Sequence, residues 1–177
     1  ILDEAYVELS LKVGDPGASV ALLHAYPNLV ILRTFSKVYG LAGLRVGYAL
    51  CGSESFRSAV DQVRQPFYLS GAAQAAAVES LHHQDEVERR VLSTVAARIT
   101  VTEALRGQGL WVAESDANFI WVRVDAGDQD RRVLDGLRER GVVVRGGGGL
   151  GGPGHIRVTL GTGAENERFL LALRELL

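Results

Sequence analysis

Hydrophobic positions along this chain come in short runs divided by turn residues. Residues 1–9 read as a strand end and a following loop, with Asp3 directly after the apolar Ile1 and Leu2. Asp15, Pro16 and Gly17 form a turn signal, and residues 18–25 a short helix closed by Tyr26, Pro27 and Asn28. Leu29, Val30, Ile31 and Leu32 follow without interruption, a pattern that suits a strand buried on both faces in a parallel sheet. Residues 35–45 are small, polar and punctuated by glycine, so they read as a loop with one helical turn, and residues 46–50 as a second buried strand. Ser53 has the character of a helix cap, with Phe56, Ala59, Val60 and Val63 at helical spacing behind it and Pro66 ending the run. The stretch 70–105 reads as helix throughout, alanine-rich at first and charged later. Gly107 and Gly109 close it.

Beyond Gly109 the pattern changes. Residues 110–113 and 119–124 read as strands, 133–140 as a helix, 142–145 as a strand and 146–154 as a flexible glycine-rich connection. Residues 156–160 alternate like a strand, and 165–177 form an amphipathic helix. This order predicts a partial α/β unit followed by a small α+β unit, divided as residues 1–95 (with a linking helix) and 96–177.

Composition narrows the function classes. The chain has 177 residues, 47% hydrophobic and 23% charged, with a formal net charge of −2. That balance is globular and carries no basic footprint for nucleic acid. No apolar run is long enough to span a bilayer as a helix, so no membrane partner is expected. The single Cys51 leaves no internal disulfide framework and suits a reducing, cytoplasmic setting. Methionine is absent even at position 1, and no signal-peptide pattern opens the chain, which therefore reads as the C-terminal part of a larger protein.

Only Lys12 and Lys37 are lysines. Lys37 stands just beyond a predicted buried strand, among small residues, with the Ser36 hydroxyl and the Arg45 guanidinium close in sequence. A lysine shielded from water can serve as an amine nucleophile. Hydroxyls, arginine and exposed backbone N–H groups are what a phosphate-bearing ligand needs. By position alone a solvated loop lysine is the commoner reading of Lys37, and no phosphate-binding G-x-x-x-x-G-K-[ST] motif is present.

The whole segment resolves the choice. Ser36-Lys37 followed by Gly40-Leu41-Ala42-Gly43-Leu44-Arg45-Val46-Gly47-Tyr48 closely resembles the pyridoxal-phosphate lysine motif of fold-type I aminotransferases, and within them the histidinol-phosphate aminotransferase group. Asp3-Glu4-Ala5-Tyr6 is similar to that group's aspartate–tyrosine motif, and the likeness continues through Ala117-Asn118-Phe119 and Ile156-Arg157-Val158-Thr159-Leu160-Gly161-Thr162. The resemblance implies the later part of a large cofactor-binding domain with a parallel-rich sheet, then a small C-terminal domain.

It also implies roles. Lys37 would hold pyridoxal 5'-phosphate covalently and then carry the proton between substrate and cofactor. Asp3 would pair with the pyridine nitrogen, Tyr6 with the phenolic oxygen, and Ser36 and Arg45 with the phosphate. Arg157 would grip an anionic substrate group with its planar fork, Arg145 would assist with a substrate phosphate, and Asn118 would shape the substrate side. The implied reaction moves an amino group between a small-molecule donor and a keto acceptor: histidinol phosphate with 2-oxoglutarate, as in histidine biosynthesis. A homodimer is implied, with each site at the subunit interface.

The resemblance leaves neighbouring readings open, namely an aromatic (phenylalanine) aminotransferase, a phospho-amino-acid decarboxylase, and an aminotransferase-like regulatory domain. The glycines at 146–149 depart from the group's more polar loop, which places substrate identity in question at that point. The family's ring-stacking aromatic, its asparagine to the phenolic oxygen and its main phosphate-binding backbone lie outside these motifs. The 177 residues alone are therefore expected to be inactive. His82 and His83 are adjacent on a predicted helix, cannot share a metal and read as solvated, so no metal is expected. Residues 85–90 read as a solvated helix face, Cys51 as buried, and Trp111 and Trp121 as core or interface aromatics.

Overall fold

The computed structural model describes residues 1–125 and 128–177. Two compact units are formed, Ile1–Val91 and Leu92–Leu177, and the division falls inside one continuous helix.

In the first unit a three-stranded sheet runs β1 (Leu2–Asp3), β2 (Val30–Thr34), β3 (Gly47–Cys51). β1 pairs parallel to β2 through Leu2↔Ile31 and Asp3↔Leu32. β3 returns antiparallel, from Thr34↔Gly47 to Val30↔Cys51. The α/β class holds, and among the described residues parallel pairing is confined to β1–β2: residues 35–46 between β2 and β3 hold a single 3₁₀ turn (Ala42–Leu44) and no crossover helix, so the chain returns antiparallel. Val30 and Ile31 are buried as the apolar run predicts, but Leu32 is exposed, so β2 is not covered on both faces along its length, and Gly47, Tyr48 and Ala49 of the edge strand β3 are exposed as well. Cys51 ends β3 half-buried. Gly47 is required there, as a Cβ would stand 2.7 Å from the Arg33 carbonyl oxygen.

The helices of this unit follow their caps. Residues 18–25 form a 3₁₀ turn running into α1 (Leu22–Ala25). α2 (Glu54–Val63) starts where Ser53 Oγ accepts from the Phe56 N–H, and α3 (Gly71–Ser80) where Ser70 Oγ accepts from the Ala73 N–H. The helix expected to run unbroken over 70–105 is two: α3 and α4 (Gln84–Gly107) are separated by a tight turn. In that turn the N–H groups of Leu81, His82 and His83 each donate to the carbonyl three residues back, and Gln84 Nε2 donates to Leu81 O. His82 and His83 thus lie in the turn and not on a helix. His83 Nε2 meets Glu79 Oε1 at 2.9 Å.

The second unit is a helix-backed antiparallel sheet, ordered β4 (Phe119–Arg123), β6 (His155–Thr159), β5 (Arg145–Gly146). α5 (Asp128–Glu139) and α6 (Gly163–Arg174) complete it. Ile120 and Val122 of β4 and Ile156 and Val158 of β6 alternate inward onto Val101, Leu105, Val133, Leu137, Phe169 and Leu173. Residues 110–113 are not a full strand: one bridge, Val112↔Val122, and two flanking main-chain bonds tie them to β4. Trp111 lies outside the core at 56% exposure. α6 opens on a capping box in which Thr162 and Glu165 satisfy each other's backbone N–H groups. Buried Asn166 clasps Gly161, accepting from its N–H at 2.9 Å and donating to its carbonyl at 3.0 Å.

The glycine-rich connection is an ordered loop. Gly147 donates to His155 O at 2.7 Å and accepts from both Leu150 (2.8 Å) and Gly152 (3.0 Å). A Cβ on Gly147 would overlap the Gly152 carbonyl and stand 2.8 Å from the Trp121 ring. Glycine here permits close packing of backbone on an aromatic ring.

Candidate active site

The loop between β2 and β3 builds the site. Phe35 donates to Val46 O and accepts from Leu41, and Gly40, at φ +75°, donates to Lys37 O at 2.9 Å. This closes a tight turn over Lys37–Gly40 whose left-handed position favours glycine. Phe35 and Val38 are buried, and Tyr39 and Tyr48 rings flank Phe35 with centroids at 4.9 and 5.6 Å. Phe35 and Val46 pack on Ala73 and Ala77 of α3, one helical turn apart, whose small side chains let the loop sit close. Burial pushes the Tyr39 hydroxyl up, against a hydrogen bond with Gln84 that lowers it.

With its neighbours anchored inward, Lys37 is left half-buried beside a cavity of about 300 Å³. Asp3, Ser36, Lys37 and Arg45 line that cavity together with Arg33 and Thr34. Lys37 Nζ lies 5.0 Å from the centroid of the Tyr6 ring. Asp3 Oδ1 accepts from the Ala5 N–H at 3.0 Å, which fixes the chain direction out of β1. Ser36 enters through a turn in which its N–H donates to Thr34 Oγ1. Arg45 caps a 3₁₀ turn (Ala42–Leu44) at φ +52°, a left-handed conformation that costs a non-glycine residue on the order of 1 kcal/mol. Its Nη1 donates to Ala42 O at 2.9 Å. An amine, a carboxylate, a hydroxyl and a guanidinium around one cavity fit an aldehyde-bearing phosphorylated heteroaromatic ring: the amine condenses with a carbonyl, the carboxylate holds a protonated ring nitrogen, and the other two bind phosphate.

The second unit carries the other expected residues. Arg157, at the centre of β6, is in register with Trp121 on one side and Arg145 on the other. Its guanidinium lies 4.4 Å from the centroid of the Phe119 ring. As register partners on neighbouring strands, Arg145 and Arg157 share one face of the sheet. Trp121 stacks on His155 at 5.4 Å and 13°. Asn118, half-buried, precedes β4 and its carbonyl accepts from Leu160.

Two contacts were not legible in the sequence. Arg90 does not stand free on a solvated face: Nη1 donates to Val38 O at 3.1 Å, and Nε is held by Glu86 Oε1 at 2.7 Å. The Glu86–Arg90 spacing was visible, but the loop carbonyl 52 residues away was not. Arg33 makes a largely buried ion pair with Glu4, Nη2 to Oε2 at 2.8 Å. Burial alone would lower the Arg33 pKa, but hydrogen bonds with Glu4 and Tyr48 hold it above the ordinary value. Among the described residues no group of three or more His, Cys, Asp or Glu gathers to hold a metal, and no helix is long and apolar enough to cross a membrane.

Residues 1–173 match the family described as Aminotransferase class I and II. The chain belongs to that family. A Geobacillus histidinol-phosphate aminotransferase is 41% identical over the whole chain and 47% of its own length. A Streptomyces coelicolor aromatic amino acid aminotransferase is 42% identical over 99% of the chain and 46% of its own length. The solved histidinol-phosphate aminotransferase of Sinorhizobium meliloti, in complex with pyridoxal-5'-phosphate, superposes with a TM-score of 0.85 at 31% identity, covering 99% of this chain and 47% of that one. This aminotransferase chain thus spans about half the length of the relatives it matches.

Proposed function

We propose that this chain supplies the catalytic lysine of a pyridoxal-phosphate-dependent aminotransferase acting on histidinol phosphate and 2-oxoglutarate. The observation that carries the reading is the cavity shared by Lys37, Asp3, Ser36 and Arg45. When bound, the cofactor supplies an electron sink for the carbanion formed at the substrate. Lys37 holds it covalently and then moves the proton at the substrate α-carbon. The Asp3 carboxylate keeps the ring nitrogen protonated, Tyr6 orients the ring oxygen, and Ser36 and Arg45 bind the phosphate. In this reading residues 1–95 are the later part of the large domain, residues 96–177 are the small domain, and the working molecule is a cytoplasmic homodimer.

Arg157 and Arg145, adjacent in register, favour a substrate with two anionic oxygens or more, and Asn118, at the head of β4, would shape the substrate side. The relative from Streptomyces coelicolor supports a second reading, an aromatic amino-acid aminotransferase. Turnover of histidinol phosphate against phenylalanine by the full-length protein separates the two: a higher kcat/KM for histidinol phosphate is expected, and a strong phenylalanine preference overturns it. Borohydride reduction with peptide mass mapping is expected to place a pyridoxyl group on Lys37 and none on Lys12.

A further inference from the structure

Phe119, next to Asn118, has no role in the chemistry above. It opens β4, where Ile120 and Val122 point into the core, so Phe119 and Trp121 lie on the opposite face of the sheet. Arg157, between the buried Ile156 and Val158 of β6, lies on that same face, one diagonal step from Phe119. Its guanidinium stands over the Phe119 ring, 4.4 Å from the centroid. Trp121, the register partner of Arg157, is instead stacked on His155 and wedged against Gly147 and Gly152. Arg145, the register partner on the other side, carries the same charge and repels. Among the described residues no hydrogen bond or ion pair engages the Arg157 side chain, and the Phe119 ring is what anchors it. The backbone that carries the ring is itself pinned. Ser115 Oγ donates to Phe119 O at 2.6 Å and accepts from the Ala117 N–H at 3.2 Å, while the buried Arg98 donates to Ala117 O at 2.9 Å.

We propose that Phe119 is a positioning residue whose ring holds the Arg157 guanidinium ready for the anionic group of the substrate. The inference deepens the aminotransferase reading and rests on it. An aromatic face attracts a cation through its quadrupole but accepts no strong hydrogen bond. The five N–H donors of the guanidinium therefore stay available for a carboxylate or phosphate, whereas a protein carboxylate in the same place would occupy them. A long side chain held before the substrate arrives also has less freedom to lose on binding. The contribution falls on affinity for the anion and not on the proton moved by Lys37, so it belongs to KM and not to kcat.

The test measures steady-state transamination by the full-length protein loaded with pyridoxal phosphate, with 2-oxoglutarate as the anionic probe. Phe119→Leu removes the aromatic face and keeps apolar bulk. It is expected to raise the KM for 2-oxoglutarate roughly three- to tenfold, the scale of a single cation–π contact, with kcat and the cofactor's dissociation constant unchanged. Phe119→Tyr, which keeps the face, is expected to restore the wild-type KM. Phe119→Met serves in place of Phe119→Leu if that variant does not fold. On an Arg157→Met background Phe119→Leu is expected to add nothing, since such a cycle isolates the energy of the pair. A merely structural phenylalanine gives the same loss on both backgrounds. A wild-type KM in folded Phe119→Leu overturns the proposal, as does Phe119→Tyr as impaired as Phe119→Leu, or an undiminished further loss on the Arg157→Met background. If Lys37 carries no pyridoxyl label in the wild-type protein, the aminotransferase reading itself fails, and this inference with it. A labelled Lys37 with an unmoved KM overturns this inference alone.

Discussion

Lys37 owes its placement to residues outside the lining of its cavity. Gly40 supplies the left-handed turn, Phe35 and Val38 are buried, and Arg90 grips the Val38 carbonyl from the far side. At the same scale, Gly147 shows how a missing side chain shapes a loop. A methyl group there would collide with the Gly152 carbonyl and crowd His155 O and the Trp121 ring, two backbone atoms and an indole that cannot swing aside. Gly147→Ala is therefore expected to destabilise the second unit by about 2 kcal/mol, as overpacking does, measured by chemical denaturation. Gly148→Ala, with open space around the added carbon, is the control and is expected to be nearly silent.

Among the elements, α4 links its own charge pattern to the lysine loop. Hydrogen bonds from Arg89 and Arg90 hold the Glu86 carboxyl down from 4.5 to about 2. A depressed acid stabilises the fold above its ordinary pKa, and that contribution is lost as pH falls from about 4.5 toward about 2. Thermal melts across that window are expected to decline less for Glu86→Gln than for wild type, and the difference is expected to shrink in high salt because Glu86 is solvent-accessible. A decline identical in the two proteins overturns the assignment. The elements themselves were largely readable. Ser53 announced α2 through cap chemistry, the amphipathic pattern over 165–177 announced α6, and the alternation at Ile156 and Val158 announced β6. The turn at 81–83 was not, because it is made by main-chain bonds that no residue type there demands. The short extent of β5 was equally hidden: Val142 and Val144 are apolar enough for a strand, yet they serve the core beside it.

For the whole molecule, the chain covers about half of its relatives' length, while the chemistry assigned to it needs a ring-stacking group and a phosphate-binding backbone that its motifs do not supply. The isolated 177 residues are expected to show no transamination under conditions where the full-length protein turns over. Detectable activity of the isolated chain, assayed by keto-acid formation, would contradict that. The pairing within each unit also belongs to this scale. The antiparallel return of β3 and the β4–β6–β5 order depend on contacts between residues a dozen or more positions apart, which a local apolar pattern does not encode.

The family was legible in the sequence alone, and so were Asp3, Ser36, Lys37 and Arg45 as a group that the fold brings to one cavity, because a family motif lists its residue types in a particular order along the chain. The sequence also determined the helices that carry explicit caps, since those signals lie within four residues of what they control. Tertiary structure alone decided that Glu4 meets Arg33, that Arg90 reaches Val38, that Arg145 and Arg157 stand side by side, and that the glycine-rich stretch is a packed loop on Trp121. Each of these joins positions separated by anything from a short loop to 52 residues. Charge, shape and the need to satisfy buried polar groups select such partners only once the chain has folded.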